Sequence, residues 1–401
     1  MFSPILPLIQ STYVLTLLQI LLGPDNHLGC LAEPLTDSNH HHHHHHHHHG
    51  HKHHSHHNHH NHLYSRDDTE HHNPHLLQSS LKFYDPSADH QNHLGKGDNY
   101  QLVFQSIGKT FFDEWDFFSE HDPTHGMVEY QASEPAWTKG LVILQPSSMD
   151  SNFTSAIMKV DNYTYLADGQ NRNSIRLTSK KSFKYGLVIL DVMKMPFGCS
   201  AWPAFWTVGE NWPHGGEIDI VEGVNMGTVN QMTLHSSPGC KVKDKMSKSA
   251  SGKVLHTDCD ATGSGNVGCG VADPSSASLG KAFNDNGGGV FVMEWTESGI
   301  TVWRFNRTEI PSDLAKGENP QPSKWTIPPV SHWDQEDCNS LSQGFSEHKI
   351  VFDITVCGDW AGAADVFNVN GLCSGSCSSV VKDPSVFKDA YWEVASVKLY
   401  Q

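Results

Sequence analysis

Positive charge is scarce in this 401-residue sequence, which has 27 Lys and Arg against 44 Asp and Glu and a formal net charge of −17. Because phosphate groups are bound by clustered cations, this balance argues against nucleic acid or an anionic membrane as a partner. The hydrophobic share is also low, at 37%. That deficit is local, since 18 of the 31 histidines lie between His40 and His62. Residues 98–401 have an ordinary composition and are long enough to bury a large core as one domain.

Long apolar runs are confined to the beginning of the chain, where residues 1–22 are mostly apolar and small residues follow. This pattern predicts a secretory signal peptide over residues 1–32, although the run lacks the usual Lys or Arg at its start. The alternative is a signal anchor, but Pro4, Pro7 and Gln10 interrupt the run and shorten it below the length of a membrane span. We therefore expect a secreted protein, extracellular or in the cell wall, without stable membrane insertion.

Residues 33–97 lack the apolar residues that a packed core requires, and their His-rich stretch is interspersed with Asn, Ser and Gly. We expect this segment to form a disordered N-terminal arm. Two interpretations of the arm stay open. It is either a solvated spacer or a functional segment, which would bind Zn²⁺ or Cu²⁺ weakly or would gain positive charge below about pH 6.5.

The cysteines do not show the paired C-x-x-C spacing of a zinc site. Removal of the signal would take Cys30 and leave an even set: Cys199, Cys240, Cys259, Cys269, Cys338, Cys357, Cys373 and Cys377. Eight cysteines suit up to four disulfides in an oxidising compartment, and their pairing stays open. Glycosylation sequons at Asn152, Asn162 and Asn306 fit the same secretory route.

Helical periodicity is scarce from residue 99 onward, whereas Gly- and Pro-containing turn clusters are frequent. Segments rich in β-branched and aromatic residues predict strands at Phe183–Val192, Glu217–Glu222, Val229–His235, Val290–Trp295, Ile300–Phe305, Lys349–Val356 and Tyr391–Tyr400. Many short strands joined by such turns predict an all-β protein, either an antiparallel sandwich or a barrel. The Gly/Ser/Asn-rich region from Cys240 to Gly289 is predicted to be a surface excursion pinned by disulfides.

The strongest functional signal is the segment from Glu217 to Glu222, which holds three carboxylates within six residues. Side chains alternate along a strand, so Glu217 and Asp219 share one face, about 6.6–6.8 Å apart. Strict alternation would turn Glu222 to the opposite face, but a β-bulge after Asp219 would return it. Three acids on one face suit glycoside hydrolysis, which needs a nucleophilic carboxylate and a protonated acid.

In this interpretation Asp219 would hold a proton or a hydrogen bond against Glu217, and the negative nucleophile would raise the pKa of Glu222 and keep it protonated. The competing interpretation is an ordinary acidic, solvent-exposed face of an amphipathic strand. Neighbouring tryptophans favour chemistry, because their faces stack on sugar rings. We expect Trp206 to belong to the core, Trp212 to lie on a loop rim, and Trp202 to be a candidate for substrate binding.

The stretch WPAFWTVGENWPHGGEIDIVEGVN, beginning at Trp202, resembles the active-site block of fungal laminarinases, the endo-1,3(4)-β-glucanases of glycoside hydrolase family 16. The likeness extends to Asp122–Gly126, Thr233–Cys240 and Cys357–Trp360. It implies a concanavalin-like jelly-roll sandwich over residues 98–401, with a concave substrate cleft. It also implies double-displacement hydrolysis of β-glucan with retention of configuration.

The resemblance assigns Glu217 as nucleophile, Asp219 as assisting acid and Glu222 as acid/base. It places His235 in the cleft, and Trp212 and Trp360 on sugar platforms. Family members often bind a structural Ca²⁺, but no loop here contains a convincing ligand set. We therefore expect no cofactor, no metal among the site residues, and a monomer.

Three functions follow as hypotheses. The first is a secreted retaining endo-glucanase acting on β-1,3-glucans or mixed β-1,3(4)-glucans. The second is a cell-wall glucan transglycosylase, in which a sugar hydroxyl instead of water captures the glycosyl-enzyme. The third is a non-catalytic glucan-binding protein, which would be expected to have lost a catalytic carboxylate, whereas all three are present.

Overall fold

The computed structural model describes residues 99–243, 249–317, 319–336, 338 and 341–401. The predicted signal peptide (1–32) and His-rich arm (33–97) lie outside these ranges. Their boundaries, and the metal binding considered for the arm, therefore stay predictions.

Strands dominate the described residues. In chain order they are β1 (Leu102–Ile107), β2 (Trp115–Phe117), β3 (Val128–Tyr130), β4 (Val142–Pro146), β5 (Thr154–Lys159), β6 (Arg172–Ser174), β7 (Arg176–Phe183), β8 (Gly186–Lys194), β9 (Ala201–Gly209), β10 (Glu217–Glu222), β11 (Gln231–His235), β12 (Lys253–Val254), β13 (Cys269–Ala272), β14 (Gly289–Thr296), β15 (Gly299–Asn306), β16 (Ser331–Asp334), β17 (His348–Val356) and β18 (Tyr391–Tyr400). The helices are α1 (Ser133–Thr138), α2 (Gly280–Asp285), α3 (Ser312–Lys316), α4 (Leu341–Gly344), α5 (Gly358–Ala361), α6 (Ala364–Phe367) and α7 (Cys377–Val380). Short 3₁₀ helices occupy Gly108–Glu114, Pro322–Lys324, Val369–Gly371 and Pro384–Phe387.

Two eight-stranded antiparallel sheets dominate the described residues, beside a two-stranded parallel sheet formed by β3 and β6. One, here called the site sheet, has the order β12-β13-β11-β10-β9-β17-β7-β2. The other, the back sheet, has the order β16-β15-β14-β8-β18-β5-β4, with β1 also paired to β18. Neighbours such as β9 and β17 are distant in sequence, which is the connectivity of a sandwich with crossovers. The all-β prediction is confirmed.

The main core lies between the sheets, because alternate side chains of both sheets enter one buried cluster. On the site sheet, Phe205 of β9 packs against Phe352 of β17 with ring centroids 4.6 Å apart. The back sheet is buried on both faces at β8, where Val188 and Leu190 enter the main core while Leu187 and Ile189 enter a second cluster. This double burial explains why β8 is an almost continuous apolar run and does not alternate.

Four disulfides join the eight predicted cysteines, which confirms their number and gives their pairing. They are Cys199–Cys373, Cys240–Cys338, Cys259–Cys269 and Cys357–Cys377. Two of them attach the segment around α7 to the residues just before β9 and just after β17. Helix α5, which carries Trp360, is therefore anchored next to the start of β9.

Two predictions about local structure were wrong. Phe183–Val192 is not one strand, because β7 ends at Phe183 and β8 begins at Gly186, with Tyr185 between them at φ 64°. The Cys240–Gly289 region is not only a surface excursion, because β13 pairs with β11 inside the site sheet. Its alternate residues Cys269 and Val271 are fully buried, and a Gly/Ser-rich composition concealed this short strand.

None of the helices among the described residues has the length and apolar character needed to cross a bilayer. The longest α-helices in this part of the chain have six residues.

Candidate active site

Strand β10 carries all three predicted catalytic carboxylates, and its pairing is irregular between the second and the third. Asp219 lies opposite Trp206 of β9, but Val221 lies opposite Phe205, so Ile220 is an extra residue. The same shift occurs against β11. This is the predicted β-bulge, and it places two consecutive buried residues, Ile220 and Val221, between the acids. Glu222 consequently returns to the face that carries Glu217 and Asp219, here called the site face.

Asp219 lies at the centre of the acid group and is only 2% exposed. Burial raises its pKa well above the usual range, and the charge of Glu217 and a hydrogen bond with Glu217 raise it further. A protonated Asp219 can donate that hydrogen bond to the Glu217 carboxylate. His235 Nε2 lies 3.4 Å from Asp219 Oδ2, so the neighbouring strand β11 contributes a histidine to the acid group.

Glu222 is held by two neighbours, one bound to its side chain on the site face and one to its backbone. Trp202 Nε1 donates a hydrogen bond to Glu222 Oε1 at 2.9 Å, and the Glu222 backbone N–H donates to Asn230 Oδ1 at 2.9 Å. Burial raises the pKa of Glu222 well above the usual range, and the charge of Asp219 adds to this effect. We predicted a raised pKa but attributed it to the nucleophile. Burial is the larger cause, and Glu217 contributes least among the groups that raise or lower this pKa.

The predicted aromatic residues differ in their position relative to the acids. Trp360 packs edge to face against Trp202, with ring centroids 5.6 Å apart, so both belong to the site. Trp212 lies in the loop between β9 and β10 and is 44% exposed, as expected for a rim position. Sugar binding by these three residues and by His235 stays a prediction.

The loop that precedes Glu217 is fixed by a buried histidine of β17. His348 Nδ1 lies 2.8 Å from Thr207 Oγ1, and His348 Nε2 lies 2.9 Å from the Gly215 carbonyl. Burial lowers the pKa of His348 to about 4, so the ring is neutral and donates through Nε2 to that carbonyl. Gly215 also passes so close to β9 that a Cβ there would lie 2.2 Å from the Glu210 carbonyl oxygen. Glycine at this position is therefore required for the approach.

The expectation that Trp206 belongs to the core was wrong. Its neighbour Phe205 enters the core, so alternation along β9 turns Trp206 to the site face. The Arg176 guanidinium of β7 lies over the Trp206 ring at 5.1 Å and over the Phe118 ring at 4.5 Å. Both faces of β9 are apolar in sequence, and composition alone could not distinguish them.

Asp353 of β17 is a further site-face carboxylate that sequence reasoning missed. Burial raises its pKa to about 7, while the nearby Arg176 lowers it and the charges of Asp122 and Glu217 raise it. The predicted strand did contain a signal for this position. Asp353 lies between Phe352 and Ile354, which both enter the core, so alternation turns Asp353 to the opposite face. Only the pairing of β17 with β9 shows that it lies beside the catalytic candidates.

Two groups of donor atoms among the described residues are close enough to hold a metal ion. Glu217, Asp219 and His235 offer atoms within 4.8 Å of one another, and so do Cys240, Cys259 and Cys338. The cysteine sulfurs are already in disulfides. The first group is the acid cluster itself.

Residues 115–400 match the family described as XgeA-like, catalytic GH16 domain. The chain belongs to glycoside hydrolase family 16. It is therefore a glycoside hydrolase. A probable glycosidase of Schizosaccharomyces pombe is 47% identical over 309 residues, which are 76% of this chain and 70% of that protein. The endo-1,3(4)-β-glucanase xgeA of Emericella nidulans is 38% identical over 313 residues, which are 76% of this chain and 47% of that protein.

Solved structures of this family share the fold. Laminarinase 16A from Phanerochaete chrysosporium, with β-glucans in its donor and acceptor sites, has a TM-score of 0.70 and 37% identity, covering 75% of this chain and 99% of its own. An elongating family 16 β-1,3-glucosyltransferase has a TM-score of 0.67 and 36% identity, covering 75% of this chain and 100% of its own. The fold is therefore the family's jelly roll. Against the Aspergillus glucanases the chain spans 40–50% of their length.

Proposed function

We propose that this protein is a secreted endo-glucanase that hydrolyses β-1,3-glucans or mixed β-1,3(4)-glucans with retention of configuration. The bulge in β10 carries the proposal, because it brings Glu217, Asp219 and Glu222 to one face. The glucan named for Laminarinase 16A and the glucanase names of the relatives support the substrate class.

In the proposed mechanism Glu217 attacks the anomeric carbon while protonated Glu222 donates its proton to the leaving glycosidic oxygen. This forms a glycosyl-enzyme on Glu217. Glu222, now a carboxylate, takes a proton from water, which attacks the anomeric carbon and releases Glu217. Asp219 donates a hydrogen bond to Glu217, which orients the nucleophile and offsets part of its charge.

Analysis of products on a panel of linkage-defined oligosaccharides tests this proposal. We expect internal cleavage of β-1,3 chains, and proton NMR should show the β-anomer of the new reducing end before mutarotation. First appearance of the α-anomer would exclude the retaining mechanism. Absence of cleavage on every β-glucan in the panel would exclude the substrate class.

Transglycosylation is a second candidate, favoured by the likeness to the elongating glucosyltransferase. The chemistry is the same up to the glycosyl-enzyme, which a sugar hydroxyl then attacks in place of water. Mass spectrometry of the same reactions decides between the two. Products longer than the starting oligosaccharide would show transfer, whereas only shorter ones would show hydrolysis.

Secretion is part of the proposal because the four disulfides are typical of an oxidising compartment. Sequencing the N-terminus of the protein from culture medium tests it. A mature chain starting near residue 33 would support cleavage of the predicted signal.

The hydrogen bond from Trp202 to Glu222 should set the pH at which activity declines. It stabilises the Glu222 carboxylate and so lowers the pKa of Glu222 against the effect of burial. Trp202→Phe removes the donor, so this pKa should rise and the alkaline limb of kcat/KM should move to higher pH. Trp360→Phe is the matched control, because it changes the ring packed against Trp202 and removes no bond to Glu222. A limb that stays in place or moves to lower pH would contradict the assignment of Glu222 as acid.

A further inference from the structure

The bulge in β10 takes two backbone groups out of register, and both are bound by one side chain. Asn230 Nδ2 donates to the Ile220 carbonyl at 3.0 Å, and Asn230 Oδ1 accepts from the Glu222 N–H at 2.9 Å. Ile220 is the extra residue of the bulge, and Glu222 is the residue that the bulge redirects. The side chain therefore spans the irregular step of the strand.

Asn230 itself is held in place by its backbone. It is fully buried immediately before β11. Its N–H donates to Ser278 Oγ at 2.8 Å, and its carbonyl accepts from the Asp273 N–H at 2.9 Å. The backbone of Asn230 is thus fixed beside β10. From this position its side chain makes its two hydrogen bonds to the Ile220 carbonyl and the Glu222 N–H, which are both backbone groups.

We propose that Asn230 is a positioning residue that maintains the bulge and thereby directs the Glu222 carboxyl toward the bond to be cleaved. This inference rests on the proposed function, since Asn230 acts only through Glu222. A primary amide suits the task because it offers a donor and an acceptor at once, as a peptide group of a neighbouring strand would. An ionised Asp would offer acceptors only, and Leu would offer neither.

Substitution of Asn230 should impair proton donation more than glucan binding. Asn230→Leu is expected to lower kcat on β-glucan about 100-fold, because a misplacement near 1 Å costs about that much, with KM little changed. The defect in kcat/KM should shrink on a dinitrophenyl β-glucoside, because kcat/KM reports the first step and the leaving group of this substrate needs no proton. Asn230→Asp keeps the acceptor for the Glu222 N–H, so its kcat should fall less than that of Asn230→Leu. If the Leu variant does not fold, the same measurements on the Asp variant test the positioning role.

Asn284→Leu is the matched control for a general loss of stability. Asn284 also makes two side-chain hydrogen bonds to backbone, both to Met195, at 2.9 Å, but it lies on α2. We expect this variant to lower the melting temperature and to leave kcat and its leaving-group dependence unchanged. An equal fall of kcat/KM on both substrates after Asn230 substitution would indicate a merely structural role and would overturn the proposal.

A double-mutant cycle separates this inference from the proposed function. In a Glu222→Gln background, Asn230→Leu should cost less than about threefold further, since the group it positions is already disabled. An undiminished loss in that background would overturn the positioning role. If Glu222→Gln alone keeps full activity, the proposed function fails instead.

Discussion

Replacement of Glu217 by Gln is expected to lower kcat on β-glucan by at least about 10⁴-fold, because an amide cannot form the glycosyl-enzyme. The change keeps the shape of the side chain and its place opposite His235. Reducing-sugar release from laminarin measures the effect, with near-unchanged thermal unfolding to show that the fold is intact.

Glu210→Gln provides the matched control for Glu217→Gln. Glu210 is an exposed glutamate that immediately follows β9, and its substitution should leave kcat within about twofold, as surface changes usually do. Retention of more than a hundredth of wild-type activity by the Glu217 variant would remove this residue from the role of nucleophile.

Glu217→Gln should also change the pKa of the neighbouring acid, Asp219. The negative charge and the hydrogen bond of Glu217 both raise the pKa of Asp219. The neutral amide of the Glu217→Gln variant would remove the charge, so the pKa of Asp219 should fall relative to the native protein. Burial of Asp219 would remain, which keeps its pKa above the usual range. Glu217 therefore influences the protonation of Asp219 directly, through its charge and its hydrogen bond.

The bulge could be predicted from sequence because three acids in one strand would be separated by strict alternation. Glycoside hydrolysis requires the carboxylates on one face of the strand, and one extra residue in a bulge places them there. The two buried residues Ile220 and Val221 are what such a bulge requires. Local sequence was therefore sufficient for the acids, since all of them belong to one strand.

The groups that tune the acids could not be predicted in the same way. Trp202, Asn230 and Asp353 come from three other segments, and only sheet order brings them to β10. The order places β17 beside β9 although more than a hundred residues separate them. Sequence alternation can assign a side chain to a face, but it does not say which strand is the neighbour. For the same reason the cause of the raised Glu222 pKa was misjudged, since burial depends on these neighbours.

Replacement of Glu222 by Gln should separate the two halves of catalysis. On β-glucan, kcat should fall by about 10²–10⁴-fold, the usual contribution of general acid–base catalysis. On a dinitrophenyl β-glucoside the first step needs no proton, so a burst of dinitrophenolate should precede slow turnover as the glycosyl-enzyme accumulates. The sign of the pH effect follows from the same role. Native activity requires protonated Glu222 and should fall as pH rises through its raised pKa, whereas the variant should lack that alkaline limb.

Azide distinguishes this variant from that of the nucleophile. It needs no general base, so it should restore turnover of the Glu222 variant on the activated substrate and give a β-glycosyl azide by attack on the glycosyl-enzyme. Glu217→Gln forms no glycosyl-enzyme, so a β-azide should not appear there. An α-azide from the Glu222 variant, or an alkaline limb that survives in it, would mean that the two carboxyls have been assigned the wrong roles. The bulge would then direct Glu222 to a different task from proton donation.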